Sequence, residues 1–525
     1  MEEKTNGPLL EDEEIQEDED FHEKEEKKGK KGEEITNKEE KDEEDEELKG
    51  NEMIEINEKA RRTIYICLVL VSLFSSCDGG IIPQQNSKIQ TDFVGDENDN
   101  SLVGFFGSVD YIGRVIGALI FAVIMGKMNR KKLLIATLIL KSITLFIALP
   151  FKNSTINIIF RGISGISQVF YTSYLPVWCD QYGKKKHRAL MVTIVQLGNP
   201  IGIILGYGMG MLCDTFAPEG YSGWRISFAI EGAILIVCAL IILGFKKKYF
   251  SEKLVLLKDN FGKEEVKEEE ENSKIINTKN IGKIICNKIF FFTTLSNSVS
   301  FFGMGIVQYW GDKYMELVLK IDTTIRFILF SALCLLGPIL GMIFGGVVCS
   351  KLGGYNKRRA MTFTIILLII SSVVSSLITI GNNIYIFVIF AWVYLFFICA
   401  AIPPESGIII ASLDNNLRGD GFSLSNSILN LTGSFPSSYA FGGLLDFYEK
   451  KLDKEDIINN KHYVYSMISC MAYNFAGVLF IIIAGIFRFR IKGDLSNTGD
   501  IEEIEEAKSI GIDRSSTLDS KSREG

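Results

Sequence analysis

"AVIMGKMNRKKLL", residues 122–134, closes one apolar run and opens the next. It passes through small residues, turns at Gly126 and Asn129, and restarts with Arg130, Lys131 and Lys132. A second stretch, "GVVCSKLGGYNKRRAM" at 346–361, repeats the plan with a Gly/Asn turn followed by Lys357, Arg358 and Arg359.

Counting apolar runs outward from the two loops shows what they have in common. A helix that crosses a bilayer needs about 20 mostly apolar residues. Runs of that kind lie at 63–84, 101–125, 132–150, 155–179, 187–212 and 223–244, and again at 288–311, 325–350, 359–380, 384–412, 420–444 and 463–488. Each loop follows the second run of its set, and the charged interval 245–285, with "KEEVKEEEENSK" inside it, separates the sets. Repetition at six-span spacing predicts two similar bundles. The predicted fold is an all-α membrane protein with 12 transmembrane helices in two six-helix bundles, 61–244 and 286–490.

Charge divides the chain in the same places. Residues 1–60 hold 26 Asp/Glu and 10 Lys/Arg, while the rest holds 38 acidic and 46 basic residues. An acidic tail without apolar periodicity is therefore joined to a basic, apolar body, and the tail reads as disordered and solvated. Residues 491–525 are also polar. The first apolar run begins only after Arg61 and Arg62, so no signal peptide is expected. The basic loops 126–132, 183–188, 245–250, 355–359 and 487–492 fall at alternate junctions. The positive-inside rule then predicts that both termini are cytoplasmic. The loops on the other side, such as "TDFVGDENDN" (91–100), are acidic or short.

Other chemistries find no support. The ten cysteines form no CxxC pair and the three histidines lie in tails or loops, so neither a metal site, a disulfide framework nor a histidine-based catalytic site is expected. The chain carries no nucleotide-binding P-loop and no pattern for nucleic-acid binding. It reads as a non-enzyme without cofactor, and a monomer is the favoured state.

The apolar runs contain charges that need an explanation. Asp110 and Arg114 lie four apart on one helical face, where a charge costs a few kcal/mol unless paired or wet. Counted inward at about 1.5 Å per residue, Asp78 of span 1, Asp110 of span 2 and Arg161 of span 4 sit at similar depth in the outer half of the first bundle. They should face a wet cavity or pair with each other, either as a switch that governs substrate or proton binding or as a permanent tie between spans 1, 2 and 4. Softer candidates are Gln168 and Tyr171 on span 4, Asn297 on span 7, Glu405 after the Pro403-Pro404 pair of span 10, and Asn430 on span 11. The second half is expected to hold fewer buried charges.

The two loops resemble the gate loop of the major facilitator superfamily, Gly-x-x-x-Asp-Arg/Lys-x-Gly-Arg-Lys/Arg. Here it reads Ala122-x-x-x-Gly126-Lys127-x-Asn129-Arg130-Lys131 and Gly346-x-x-x-Ser350-Lys351-x-Gly353. Both copies lack the Asp, which implies a weak latch, with Asp180 at the end of span 4 as a partner for Arg130. Lys127, Arg130, Lys131, Asp180, Lys351 and Arg358 are the gate-loop candidates. "LGNPIGIILGYGMG" (197–210) and "GWRISFAIEG" (223–232) are similar to spans 5 and 6 of that family. "CDGGIIPQQNSKIQTDF" (77–93), "RGISGISQVFYTSYLP" (161–176) and "PPESGIIIASLDNNLRGDGFSLSN" (403–426) resemble the Spinster-like lysolipid and sphingolipid transporters. Gln168 stands where those usually have a Glu implicated in proton coupling. "NLTGSFPSSYAFGGLLD" (430–446) is similar to organic-anion transporters of the same superfamily.

The resemblance implies alternating access, a central cavity lined by spans 1 and 4, possible proton coupling, and an endolysosomal or plasma-membrane location. The implied substrate is an amphiphile such as a lysophospholipid or sphingolipid. A small water-soluble organic anion or other metabolite as substrate, and a non-transporting membrane sensor built on a transporter fold, are the alternatives.

Overall fold

Polar side chains mark where several spans begin. Asn129 accepts hydrogen bonds from the N–H groups of Lys131 and Lys132, and Asn287 does the same for Ile289 and Phe290. Asp322 caps through Thr324 N–H and Asn383 through Tyr385 N–H. Each cap satisfies donors that the first helical turn leaves without a partner, worth about 1 kcal/mol. The computed structural model describes residues 58–94, 99–124, 128–182, 188–218, 220–250, 278–380, 383–414 and 417–490. The acidic tail up to residue 57, most of the linker, the segment beyond 490, and Lys127 lie outside the described residues.

In the first half the helices are α1 (Glu58–Phe74), α2 (Asp78–Gln84), α3 (Asn86–Val94), α4 (Asn100–Ile124), α5 (Arg130–Ile147), α6 (Ser154–Tyr182), α7 (Arg188–Phe216) and α8 (Gly223–Leu243). A short α9 (Thr278–Cys286) leads into the second half. There follow α10 (Lys288–Leu317), α11 (Thr323–Lys351), α12 (Arg358–Leu377), α13 (Ile384–Ala411), α14 (Arg418–Leu429), α15 (Phe435–Lys451), α16 (Lys454–Ile458), α17 (Lys461–Ala472) and α18 (Asn474–Arg490). These elements occupy the twelve expected spans. Among the described residues, nine stretches are long and apolar enough to cross a membrane on length and composition. The remaining spans, α5, α6 and α14–α15, are diluted by polar residues such as Lys141, Arg161, Gln168 and Asn430.

Three spans depart from the expected continuous helices. Span 1 breaks at Ser75–Cys77 and continues past 84 through α3. The break precedes Asp78-Gly79-Gly80, and the Gly79 N–H donates to Asp78 Oδ1 at 2.9 Å, a local bond that competes with the helical ladder. Span 11 runs from α14 to α15 through a π-helical turn at Asn430–Ser434, and span 12 breaks at Tyr473.

Glycine seams explain how spans 2 and 4 come together. A Cβ at Gly113 would lie 1.9 Å from the Gly162 carbonyl oxygen, and one at Gly165 would lie 2.0 Å from that of Asp110. Only a residue without a side chain permits that approach, and it brings α4 against α6. The second half repeats the device between α11 and α13, where a Cβ at Gly345 would lie 1.9 Å from the Ala400 carbonyl oxygen. The internal repeat read from the loops is thus also a repeat of packing.

The halves are joined at the end that carries the acidic loop. Asp446 of α15 accepts from the N–H groups of Asn100 and Ser101, at 3.0 and 2.9 Å, and from both of their side chains. Tyr309 Oη donates to the Val103 carbonyl at 2.8 Å. Lys313 Nζ donates to Asn86 Oδ1 and Gln90 Oε1, at 3.0 and 2.7 Å. The Tyr207 hydroxyl donates to Asp312, which also holds Arg326 Nε at 2.9 Å.

Candidate functional site

The break in span 1 brings Asp78 to the centre of the first half, where its carboxylate accepts hydrogen bonds from both Lys141 Nζ and Arg161 Nη1. Lys141 comes from α5 and Arg161 from α6, and all three residues are buried. The row extends in both directions. On one side Lys141 Nζ lies 3.9 Å from Glu231 Oε1 of α8 and donates to Gln168 Oε1 at 3.4 Å. On the other, Arg161 Nη2 lies 3.9 Å from Asp110 Oδ1, and Arg114 Nη2 donates to Asp110 Oδ2 at 2.9 Å. Glu231, Lys141, Asp78, Arg161, Asp110 and Arg114 therefore alternate in sign across spans 6, 3, 1, 4 and 2. Alternation is how these charges tolerate burial, because each is neutralised by its neighbours.

The three charges placed at one depth by residue counting, Asp78, Asp110 and Arg161, do converge. Lys141 was not foreseen. It lies inside the apolar run "LIATLILKSITLF" (134–146), where a single Lys gives no hint that a carboxylate from span 1 will reach it. Its central place in the run was the available signal, since neither end lies within easy snorkelling reach.

A cavity of about 360 Å³ opens beside the row, at the smaller end of ligand sites. Its two walls differ in chemistry. The first half contributes all the charges, Asp78, Asp110, Arg114 and Arg161, with Gln168; the second contributes the apolar Phe301, Met304, Pro338, Met342 and Ile402 beside the uncharged polar groups Gln308, Ser437 and, at the π-helical turn, Asn430. Arg114 retains 25% exposure of its side chain, against 5% for Arg161, so it is the cation of the row most open to the cavity. Its guanidinium also stacks over Tyr111, 4.7 Å from the ring centre.

The other candidates are dispersed. Tyr171 is buried with its hydroxyl unpartnered, outside the cavity lining. Asn297 and Glu405 are buried below the lining of the second half. Lys131 donates to the carbonyls of Leu243, at 2.9 Å, and Phe245, so it ties span 3 to the end of span 6. Arg130 lies over the Tyr174 ring at 5.9 Å, and the side chain of Asp180 lies outside the described residues. Lys351 ends α11 and Arg358 begins α12, both exposed.

Among the described residues the second half does hold fewer buried charges, though by one only: Asp312, Lys313, Arg326, Glu405 and Arg488, against Asp78, Asp110, Lys141, Arg161, Arg225 and Glu231 in the first. The expected span 7 stopped at 311 because charges follow, yet α10 continues to Leu317 and packs those charges against the first half.

Known proteins share this fold. A family model described as Major Facilitator Superfamily matches residues 64–436. A probable sphingolipid transporter, spinster homolog 1, of Arabidopsis thaliana is 23% identical over 84% of this chain and 88% of its own length. A sphingosine-1-phosphate transporter of Xenopus tropicalis is 21% identical over 74% of this chain and 75% of its own. Among solved structures, a bacterial homolog of the human lysosomal transporter Spinster, in an inward-facing and unoccupied conformation, aligns with a TM-score of 0.64. It covers 83% of this chain and 97% of its own, at 16% identity. The D-xylose-proton symporter aligns at 0.60 with the same identity, over 83% of this chain and 98% of its own. The family match spans most of the chain, and the helices enclose a charged cavity between two repeated halves: the chain is a multi-pass membrane transporter of the Major Facilitator Superfamily.

Proposed function

We propose that this transporter moves a single-chain amphiphile, a lysophospholipid or a phosphorylated sphingoid lipid, by alternating access of its two bundles. The observation that carries the reading is the two-faced cavity. A wall from the first bundle that carries all the cavity's charges faces an uncharged wall from the second, where Phe301, Met304, Pro338, Met342 and Ile402 form an apolar strip beside polar groups such as Gln308 and Ser437. A headgroup gains charge-assisted hydrogen bonds on one side while the chain leaves water on the other, at about 25 cal/mol per Å² of apolar surface. The sphingolipid relatives support the same class. The bonds that join the bundles at the acidic-loop end support an inward-facing stage; on this reading Asp78 and Arg161 stand at the substrate site and the termini lie in the cytoplasm.

The test is flux across vesicles containing the full chain. Isotope-labelled lysophosphatidic acid, sphingosine-1-phosphate, a sugar and benzoate are compared. Saturable movement of a lipid, lost in Arg161→Ala, is expected. Movement of benzoate or sugar alone would replace the amphiphile with a water-soluble solute.

A further inference from the structure

Among the described residues, five carboxyl side chains are buried: Asp78, Asp110, Glu231, Asp312 and Glu405. Four have a cation within 4.0 Å. Asp78 has Lys141 and Arg161, Asp110 has Arg114 and Arg161, Glu231 has Lys141, and Asp312 has Arg326. Glu405 is the exception. It is 0% exposed, its Oε1 accepts one hydrogen bond from Ser296 Oγ at 2.7 Å, and its Oε2 has no partner.

Its surroundings provide no substitute. α13 packs against α10, α11, α12 and α14. The charged and titratable groups on those helices near this level are Lys288, Cys349, Lys351, Arg358, Arg359, Arg418 and Asp420, and none lies within 4.0 Å of the carboxyl. Lys288 Nζ sits over Phe487, 4.8 Å from the ring centre, and Arg418 Nε donates to the Leu413 carbonyl at 3.3 Å. Lys351, Arg358, Arg359 and Asp420 are exposed, and Cys349 is buried. An ionised carboxyl sealed in this way, with one hydrogen bond and no counter-charge, costs many kcal/mol. Two further buried oxygens on the facing helix, Asn297 Oδ1 and Thr293 Oγ1, also have no partner.

Glu405 is also well placed. It follows the cavity-lining Ile402 by three residues, and Asn297 precedes the cavity-lining Phe301 by four, so each lies one helical turn below the cavity wall. We propose that Glu405 is a proton-binding site in the second bundle. Its Oε2 carries the proton while the site is sealed, and passes it to water, leaving the carboxylate, when the bundles move and water reaches α13. Asp78 and Asp110 are hydrogen-bonded to fixed cations, and Glu231, whose oxygens also lack a hydrogen bond, has Lys141 3.9 Å away, so Glu405 is the one buried carboxyl among the described residues with no counter-charge at all. The inference rests on the transporter reading for its use, but its test requires no substrate.

Infrared difference spectra of the full chain in phosphatidylcholine vesicles, stepped from acid to alkaline pH, give the direct readout. The expected result is a protonated-carboxyl C=O band at neutral pH that persists in Asp78→Asn and is lost in Glu405→Gln. A band retained in Glu405→Gln, or absent from the wild type, overturns the proposal. Should Glu405→Gln fail to fold, Ser296→Ala keeps the carboxyl and removes its hydrogen bond. A shift of the band then supports the assignment and an unmoved band rejects it. Failure of lipid flux with the band behaving as expected would refute the amphiphile and leave the proton site standing.

Discussion

Asp446 caps the first turn of α4 from across the bundle boundary, accepting the Asn100 and Ser101 N–H groups at 3.0 and 2.9 Å. A helix N-terminus leaves these donors without partners and carries partial positive charge. The helix that supplies the donors and the carboxylate that satisfies them belong to different halves, so the cap is also a latch.

Asp446→Ala should therefore weaken closure at the acidic-loop end. Losing a charged cap costs about 1–2 kcal/mol, a shift of roughly five- to thirtyfold in the open-to-closed ratio. Spin labels on the exposed residues Thr91 and Lys450 would read it as growth of a longer-distance population. An unchanged distance distribution would remove Asp446 from the gate.

The row at Asp78 makes a second prediction, about stability. Asp78→Asn leaves Lys141 and Arg161 buried with less neutralisation, and breaking a buried pair costs about 3–5 kcal/mol. Adding Lys141→Met removes one of the stranded charges, so the double variant should melt at a higher temperature than Asp78→Asn alone. Thermal unfolding in detergent measures the cycle. Strictly additive losses would mean that Lys141 and Asp78 are not energetically coupled.

The seam between α4 and α6 makes a third. Gly165→Leu puts side-chain atoms where the Asp110 carbonyl already stands, 2.0 Å from the new Cβ. The helices must separate, and with them the residues that pair Asp110 with Arg161. Loss of the monodisperse folded peak in size-exclusion chromatography is expected. A variant that folds and melts like the wild type would show that the seam has slack.

How much of this was legible in the sequence depends on what each residue interrupts. Asp78, Asp110, Arg114 and Arg161 announce themselves because a charge within an apolar run has few tolerable fates, and counting residues already put three of them at one depth. Lys141 is as deeply buried as Asp78, and its central place in span 3 argues against snorkelling, yet a lone lysine does not show which carboxylate of which helix it reaches. Asp312, Lys313 and Arg326 were hidden by the rule that reveals spans: charges end an apolar run, so they read as boundary. Their burial comes from the other bundle, through contacts such as Tyr207 to Asp312 that join residues 105 apart. The repeat of loops was legible because it is local. The break at Ser75–Cys77 was not, since Asp78-Gly79-Gly80 at the end of an apolar run is also compatible with a continuous helix, and the local Asp78–Gly79 bond shows only in the structure.

On the amphiphile reading proposed above, Arg114 is the residue that discriminates between kinds of headgroup. It is the cation of the row with the most exposed side chain, it lines the cavity, and its one charged partner is Asp110 on its own helix. A phosphate entering the cavity can add hydrogen bonds to this guanidinium without breaking the tie between Asp78 and Arg161. Arg114→Gln keeps a polar side chain of moderate length and removes the charge. For a phosphate-bearing amphiphile, KM should rise about tenfold, the loss of roughly 1.4 kcal/mol, with kcat little altered. For an uncharged amphiphile of equal chain length, KM should stay within about twofold, a change well under 1 kcal/mol. Flux measured for both lipids with the same preparation separates the outcomes. An equal loss for both would assign Arg114 to the stability of α4, paired with Asp110, and return the choice of headgroup to Arg161.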